Sequence, residues 1–221
     1  FVQISDENLH HVRELLDEVF GQDNFISVIS VRKTTGETSG FLSVTCDFVV
    51  WYGKNKQVTK FHQLFLERSD DAESRYNQAD GLSSGSLFRL DDITSARAPN
   101  LGDLTVFSHE GTSYTSGKRT FRTEINGLQR LAKARRLIGN GKTLAYKHFL
   151  ADFPAAPIGN LWSDISGAVQ SRSDPKVYVV QTGTPLIERA MLMTTDPGDL
   201  VLDPTCGSGT SAFVAEKWGR R

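Results

Sequence analysis

Leu200-Val201-Leu202-Asp203-Pro204-Thr205-Cys206-Gly207-Ser208-Gly209-Thr210 is an apolar run that ends in an acid and turns through Gly-x-Gly into a segment reading as a helix from about Ser211 to Trp218. Strand, glycine turn and helix in this order form a nucleotide or cofactor cradle, because glycines let a ligand approach the backbone and a helix N-terminus offers N–H groups to an anion. Asp203 at the strand end favours an ammonium group, and the helix start favours a carboxylate. The methionyl part of S-adenosylmethionine carries one of each. It is therefore the candidate ligand for Asp203, Pro204, Thr205, Cys206, Gly207, Ser208, Gly209 and Thr210. Two other readings stay open at this point. Gly207-x-Gly209-x-x-Ala212 also satisfies the dinucleotide fingerprint with Ala in last place, although four residues separate Leu202 from Gly207 where such a turn puts its first glycine close to the strand end. A Gly-x-Gly can also be a plain strand-to-helix connection.

Outward from this loop, Lys176 to Gln181 reads as a buried strand and Pro185 to Met193 as a helix with Pro185 in its first turn. At the other end of the chain, Phe1 to Ile4 reads as a strand. A helix follows, capped by Ser5 or Asp6, with Leu9, Val12, Leu15, Leu16, Val19 and Phe20 at helical spacing and Gly21 as the stop. Asn24–Val31, Phe41–Tyr52 and His62–Leu66 read as strands. Glu67 to Gly85 and Ala96 to Asn100 are loop-like and are expected to wrap over a core built elsewhere. Strand-like pieces return between Leu104 and Tyr114. Glu124 to Leu137 predicts a helix with Ile125, Leu128, Leu131 and Ala132 inward, and Thr143 to Phe149 alternates as a strand.

The 221 residues, 38% hydrophobic and 23% charged, suffice for one large or two small packed domains and exclude disorder or fibre as an overall reading. Two cysteines, Cys46 and Cys206, are too few for a disulfide framework or a four-ligand zinc site, which fits a cytoplasmic protein. No run approaches the roughly 18 apolar residues of a membrane span. The chain opens on Phe1 inside a strand-like segment, and it is expected to start within a longer protein.

A net charge of -1 conceals a strong local bias. From Lys118 to His148 nine Lys or Arg face one acid, Glu124, a local formal charge of +8. On the predicted helix Arg130, Lys133 and Arg136 follow i, i+3, i+6 spacing opposite the apolar residues, a geometry suited to tracking phosphates. Lys118, Arg119 and Arg122 precede them. The plain alternative is a solvated helix face whose C-terminal cations complement the macrodipole.

Gly198-Asp199-Leu200-Val201-Leu202-Asp203-Pro204-Thr205-Cys206-Gly207-Ser208-Gly209-Thr210 resembles the cofactor-binding motif of the β-class amino DNA methyltransferases, typified by the Mod subunits of type III restriction-modification systems. Phe1-Val2-Gln3-Ile4-Ser5-Asp6, the helix ending Asp17-Glu18-Val19-Phe20-Gly21, and Asn24-Phe25 are similar to the segment these enzymes carry after their catalytic motif. Cys46-Asp47-Phe48-Val49-Val50-Trp51-Tyr52 resembles the strand that follows. The resemblance implies an α/β, partial Rossmann-like fold with an inserted target-recognition region: residues 1–33 end the catalytic half, 34–175 recognise DNA, and 176–221 form the cofactor half. It further implies methyl transfer from S-adenosylmethionine to the amino group of a flipped adenine, with no metal. DNA is the expected partner, together with a restriction or translocase subunit or a second copy of the chain. DNA contact is expected from Lys118, Arg119, Arg122, Arg130, Lys133 and Arg136.

Three departures qualify the match. The family's catalytic acid or Asn followed by Pro-Pro and an aromatic is absent, because none of the 7 prolines is adjacent to another. It is expected upstream of Phe1, so no catalytic residue is nominated and the chain alone is expected to be inactive. The acid that holds the cofactor ribose at the end of a following strand also has no counterpart. Thr182-Gly183-Thr184-Pro185 stands where many relatives have a Lys before the Pro; Thr182 and Thr184 could still bond the cofactor carboxylate, or Thr184 could simply cap a helix. An inactive DNA- or partner-binding module, and behind it a dinucleotide oxidoreductase, are the alternative functions.

Other patterns carry less. Gly81-Leu82-Ser83-Ser84-Gly85 has the nucleophile-elbow spacing but follows a polar stretch. Gly139-Asn140-Gly141-Lys142-Thr143 lacks the first glycine of a phosphate loop. His10, His11, His109 and His148 show no metal-ligand spacing and read as solvated or capping groups, and Asp91-Asp92 would point to opposite faces of a strand.

Overall fold

The computed structural model describes residues 1–33, 41–79, 86–165 and 182–221. The Lys176–Gln181 strand and the Gly81–Gly85 loop lie outside the described residues. The chain divides into two compact units, one made of Phe1–Leu66 with Pro157–Arg221, the other of Glu67–Ala156. Both mix helices and strands, in keeping with the α/β expectation.

The first unit is built on a four-stranded sheet. Cys46–Tyr52 lies between Val2–Ile4 and Phe25–Arg32, antiparallel to both, and the two-residue strand Leu161–Trp162 runs parallel to Phe25–Arg32 on its far side. Alternation places Ile29, Val31 and Val49 on one face of the sheet, where they are buried with Trp162, Ile165, Leu186 and Met193. Each such side chain contributes roughly 1.5–3 kcal/mol by leaving water. The helix Asp6–Phe20 ends at Gly21, as expected. It half-buries Leu9, Val12 and Leu16, while Leu15 and Val19 remain exposed.

The helices Thr184–Thr194 and Thr210–Lys217 pack through Met191, Ile187, Val214 and Ala215. Polar contacts reinforce the pair: Glu188 accepts hydrogen bonds from Trp218 Nε1 at 2.6 Å and Lys217 Nζ at 3.1 Å. Arg220 donates to the Thr195 hydroxyl and carbonyl at 2.9 and 2.7 Å. Leu200–Leu202 does not form the expected strand. The backbone there pairs with the returning tail, Val201 N–H to Arg221 O at 2.7 Å and Arg221 N–H to Asp199 O at 2.9 Å. Leu200 and Leu202 are 77% and 85% exposed. An apolar triplet needs a neighbouring strand to become a buried one, and none lies beside it among the described residues.

The second unit holds a sheet ordered Gln78–Ala79, Leu87–Asp92, Thr143–Phe149, Leu137–Asn140, antiparallel throughout. Leu87–Asp92 was not foreseen, because its charged Arg89, Asp91 and Asp92 interrupt the apolar pattern. Glu67–Gly85 contains a short helix, Asp70–Glu73, within the expected loop. Gly139–Thr143 is the turn of a hairpin, not a phosphate loop. Val106–His109 and Thr112–Thr115 make a second hairpin. Leu128 of the helix Ile125–Lys133 is buried with Ile93, Phe107, Phe121, Leu137 and Leu144. This helix is shorter than predicted at its C-terminal end. Arg135 takes a left-handed φ of 55° and turns the chain into the strand at Leu137, which leaves Arg136 outside the helix, and Ile125 is exposed where it was expected inward.

Candidate functional site

The glycine loop folds through its own polar atoms. Asp203 Oδ1 accepts the Thr205 N–H at 3.0 Å, closing an Asx turn, and Asp203 Oδ2 accepts the Ser211 hydroxyl from the first turn of the following helix. The half-buried carboxylate is thereby fixed at the edge of the loop. Gly209 N–H donates to Cys206 O at 2.8 Å, and the Ser208 and Thr210 hydroxyls lie 2.7 Å apart. Gly209 caps the helix at φ 78°, ψ 14°, a left-handed conformation that L side chains rarely adopt, and Gly207 has φ 51°. A Cβ at Gly209 would meet nothing within 4 Å, so its face of the loop is open. Thr205, Cys206 and Gly207 are exposed, and Cys206 is a free thiol.

These residues fit the expected donor. An acid in a fixed position borders an open backbone surface, and the start of an eight-residue helix lies behind it. Thr182 is tied elsewhere: its hydroxyl donates to Gln3 Oε1 at 3.1 Å. Thr184 begins the helix that Gly183 caps, with Pro185 in the first turn.

The loop is anchored from outside. Lys60 Nζ lies 2.6 Å from Asp196 Oδ2 and 2.5 Å from Asp199 Oδ2, and His62 Nε2 lies 3.0 Å from Asp196 Oδ1. The hydrogen bonds from Lys60 lower the pKa of both carboxyls and raise that of Lys60. The turn before the loop is thus clasped by a segment far from it in sequence, a link that no local pattern announces.

In the second unit the expected DNA-contacting cations divide into two groups. Arg119 pairs with Asp92 at 3.1 Å, Arg122 donates to Thr94 O at 2.8 Å, and Arg136 holds Asp152 through two nitrogens. Asp92 also accepts from the Thr94 hydroxyl and N–H, and these bonds lower its pKa. Lys118, Arg130 and Lys133 show no such partner among the described residues. Arg130 and Lys133 stand exposed in the last turn of their helix.

Asp91 and Asp92 face opposite ways, as the strand period requires. Asp91 accepts from His148 Nδ1 at 3.0 Å and from Arg89 at 3.0 and 3.2 Å, so His148 is an ordered partner in the sheet and not a solvated or capping residue. Only the pairing of Leu87–Asp92 with Thr143–Phe149 brings these groups together.

The DNA methylase family model matches residues 1–221. The chain is 24% identical to a probable type III restriction-modification enzyme, the HindVI Mod subunit of Haemophilus influenzae, over all of this chain and 38% of the relative. It is 25% identical to the type II methyltransferase M.EcaI of Enterobacter cloacae, over all of this chain and 48% of that protein. A segment of 64 residues is 38% identical to the type II methyltransferase M.BamHI of Bacillus amyloliquefaciens, covering 29% of this chain and 15% of the relative. The chain spans less than half the length of the first two relatives, which it matches over its whole length.

Proposed function

Because the chain belongs to the DNA methylase family, we propose that it is the donor-binding and target-recognition portion of a site-specific DNA amino methyltransferase acting on adenine. Its core is proposed to be Rossmann-like, with residues 1–33 and 176–221 as parts of the two halves and 34–175 as the recognition region. The compact unit Glu67–Ala156 lies within that region. The observation that carries the reading is Asp203, held by Thr205 and Ser211 beside the open face of Gly209.

S-adenosylmethionine, the proposed donor, supplies a methyl group activated on a sulfonium. Asp203 would take the ammonium of its methionyl part, and the helix start at Thr210 would face the carboxylate. Pro204 to Ser208 would form the wall of the cradle, with Thr184 as a further hydroxyl and Thr182 joining it by exchanging its bond to Gln3 for one to the carboxylate. Lys118, Arg130 and Lys133 would meet DNA phosphates, while Arg119, Arg122 and Arg136 would shape the surface that carries them. With no adjacent prolines to hold a flipped base, the chain by itself is proposed to bind without transferring methyl. A restriction or translocase subunit, or a second copy, and a cytoplasmic setting belong to the same proposal. No helix among the described residues is long and apolar enough to cross a membrane.

Calorimetric titration with S-adenosylmethionine and its demethylated product, beside the Asp203→Ala variant and a nicotinamide control, tests the reading. Binding of both methionyl ligands that disappears in the variant is the expected result. Binding of the nicotinamide alone, or of none, overturns it.

A further inference from the structure

The sheet of the unit Glu67–Ala156 carries a polar cluster that takes no part in the glycine loop. Asp91 Oδ2 collects three contacts on one oxygen: Arg89 Nε at 3.2 Å, Arg89 NH2 at 3.0 Å and His148 Nδ1 at 3.0 Å. This fixes the Arg89 guanidinium by one edge and leaves its NH1 without a partner among the described residues. Arg68 is similarly half-used, donating Nε and NH2 to Phe153 O at 3.1 and 2.8 Å. Both guanidinium carbons lie over one ring, 5.3 Å (Arg68) and 5.2 Å (Arg89) from the centroid of Tyr76. Tyr76 is 2% exposed, and its hydroxyl has no hydrogen-bond partner among the described residues. The His148 ring meets it edge-on at 5.8 Å.

Among the groups in contact, two guanidiniums meet one carboxylate, an excess of one positive charge beside the exposed Asp70, Asp71 and Glu73 of the neighbouring helix, and water is partly excluded, since Arg89 and Asp91 keep only 29% and 33% of their side-chain exposure. The free nitrogen of each guanidinium is a donor, and Asp91 Oδ1 is the one carboxylate acceptor of the cluster left beside them. Oriented, partly desolvated N–H donors with excess positive charge are complementary to an oxyanion that offers several acceptor oxygens. We infer that Arg68 and Arg89 bind a backbone phosphodiester of DNA, with Asp91 and His148 as positioning residues that hold Arg89. The inference rests on the reading of this unit as a target-recognition region. Duplex DNA, with one negative charge per roughly 1.7 Å of axis, is the anion such a unit meets. The exposed Lys118, Arg130 and Lys133 belong to the same unit.

Equilibrium binding of the full chain to a fluorescein-labelled duplex, measured by anisotropy across a salt series, tests the site with Arg89→Gln and Arg68→Gln. Each variant is expected to bind about three- to tenfold more weakly, with a log–log salt slope shallower by about 0.9, the value of one lost phosphate contact. Circular dichroism melts accompany each variant. Arg68→Gln leaves the Asp91 contacts intact and keeps the test decisive if Arg89→Gln does not fold. Unchanged affinity and slope in a folded variant overturn the site while the wild type still binds DNA. A wild type that does not bind the duplex overturns the recognition reading itself, and the site with it. Titration with inorganic phosphate separates the two sources of this anion: a thermal stabilisation lost in the variants, with DNA affinity unchanged, assigns the site to free phosphate and also overturns the proposal.

Discussion

Arg136 grips Asp152 at two points, NH1 on Oδ2 at 2.6 Å and NH2 on Oδ1 at 2.7 Å, with the guanidinium also 4.4 Å over the Phe149 ring. The Asp152 carboxylate takes the Phe149 N–H as well. A guanidinium engaged in this way must break a two-point bond before it can meet a phosphate. Asp152→Asn is expected to cost about 1–2 kcal/mol, read as a lower midpoint in urea. The pH dependence follows from the direction of the shift. The hydrogen bond from Arg136 lowers the Asp152 pKa in the folded state. Its stabilisation is therefore present above the unfolded carboxyl pKa of about 3.9 and is lost as pH falls through the lower folded value. The variant and the wild type should accordingly converge in stability under acid, and a gap that widens there refutes the assignment.

Gly139 lies under the Tyr114 side chain. A Cβ on Gly139 would sit 2.2 Å from the Tyr114 hydroxyl oxygen and 2.8 Å from Cζ, distances that require the ring to move. Tyr114 packs against the Leu128 and Leu144 cluster, so the ring cannot swing away freely. Gly139→Ala is expected to destabilise the unit by about 1–3 kcal/mol. Tyr114→Ala in the same chain should recover part of that loss, giving a double-mutant cycle with a coupling of more than about 0.5 kcal/mol. Strict additivity in thermal melts would show that the two residues do not press on each other.

The glycine loop was legible in the sequence because its geometry is local. Asp203 closes on Thr205 two residues away, and Gly209 starts the helix within the same turn. The helices Asp6–Phe20 and Thr210–Lys217 were legible for the same reason. What the pattern missed depends on residues far apart in the chain. Arg119 and Arg136 count as free cations until Asp92 and Asp152 are brought to them, 27 and 16 positions away. Arg89, Asp91 and His148 look unrelated until two strands pair. Leu200–Leu202 fails in the opposite sense, since its composition suits a strand but burial has to come from neighbours.

Ser211 donates its hydroxyl to Asp203 from the first turn of the helix, and it is proposed to hold the acid in place without touching the donor. Ser211→Ala should weaken S-adenosylmethionine binding by about three- to tenfold through the lost hydrogen bond, and Ser211→Thr should restore most of it. Asp203→Ala should abolish measurable binding. Calorimetry distinguishes the two roles, because equal losses in both variants would place Ser211 in direct contact with the ligand.

Lys60 bridges Asp196 and Asp199, and the same turn leads into Val201, whose N–H bonds Arg221 O at 2.7 Å. Both acids have lowered pKa values and Lys60 a raised one, each mainly through the hydrogen bonds between them. The clasp is therefore intact between the unfolded carboxyl range near pH 4 and the unfolded lysine value near 10.4; it fades as pH falls through the lowered carboxyl values or rises through the raised lysine value. All three groups are well exposed, so the effect of Lys60→Met on global stability should be small and should shrink further with added salt. Its effect should instead be local. Hydrogen exchange at neutral pH is expected to speed up at the amides of Asp199 and Val201, while those of Ile29 and Val49 in the buried sheet keep their protection. If the Asp199 and Val201 amides exchange as slowly in Lys60→Met as in the wild type, the tail pairing with Arg221 holds this turn without Lys60.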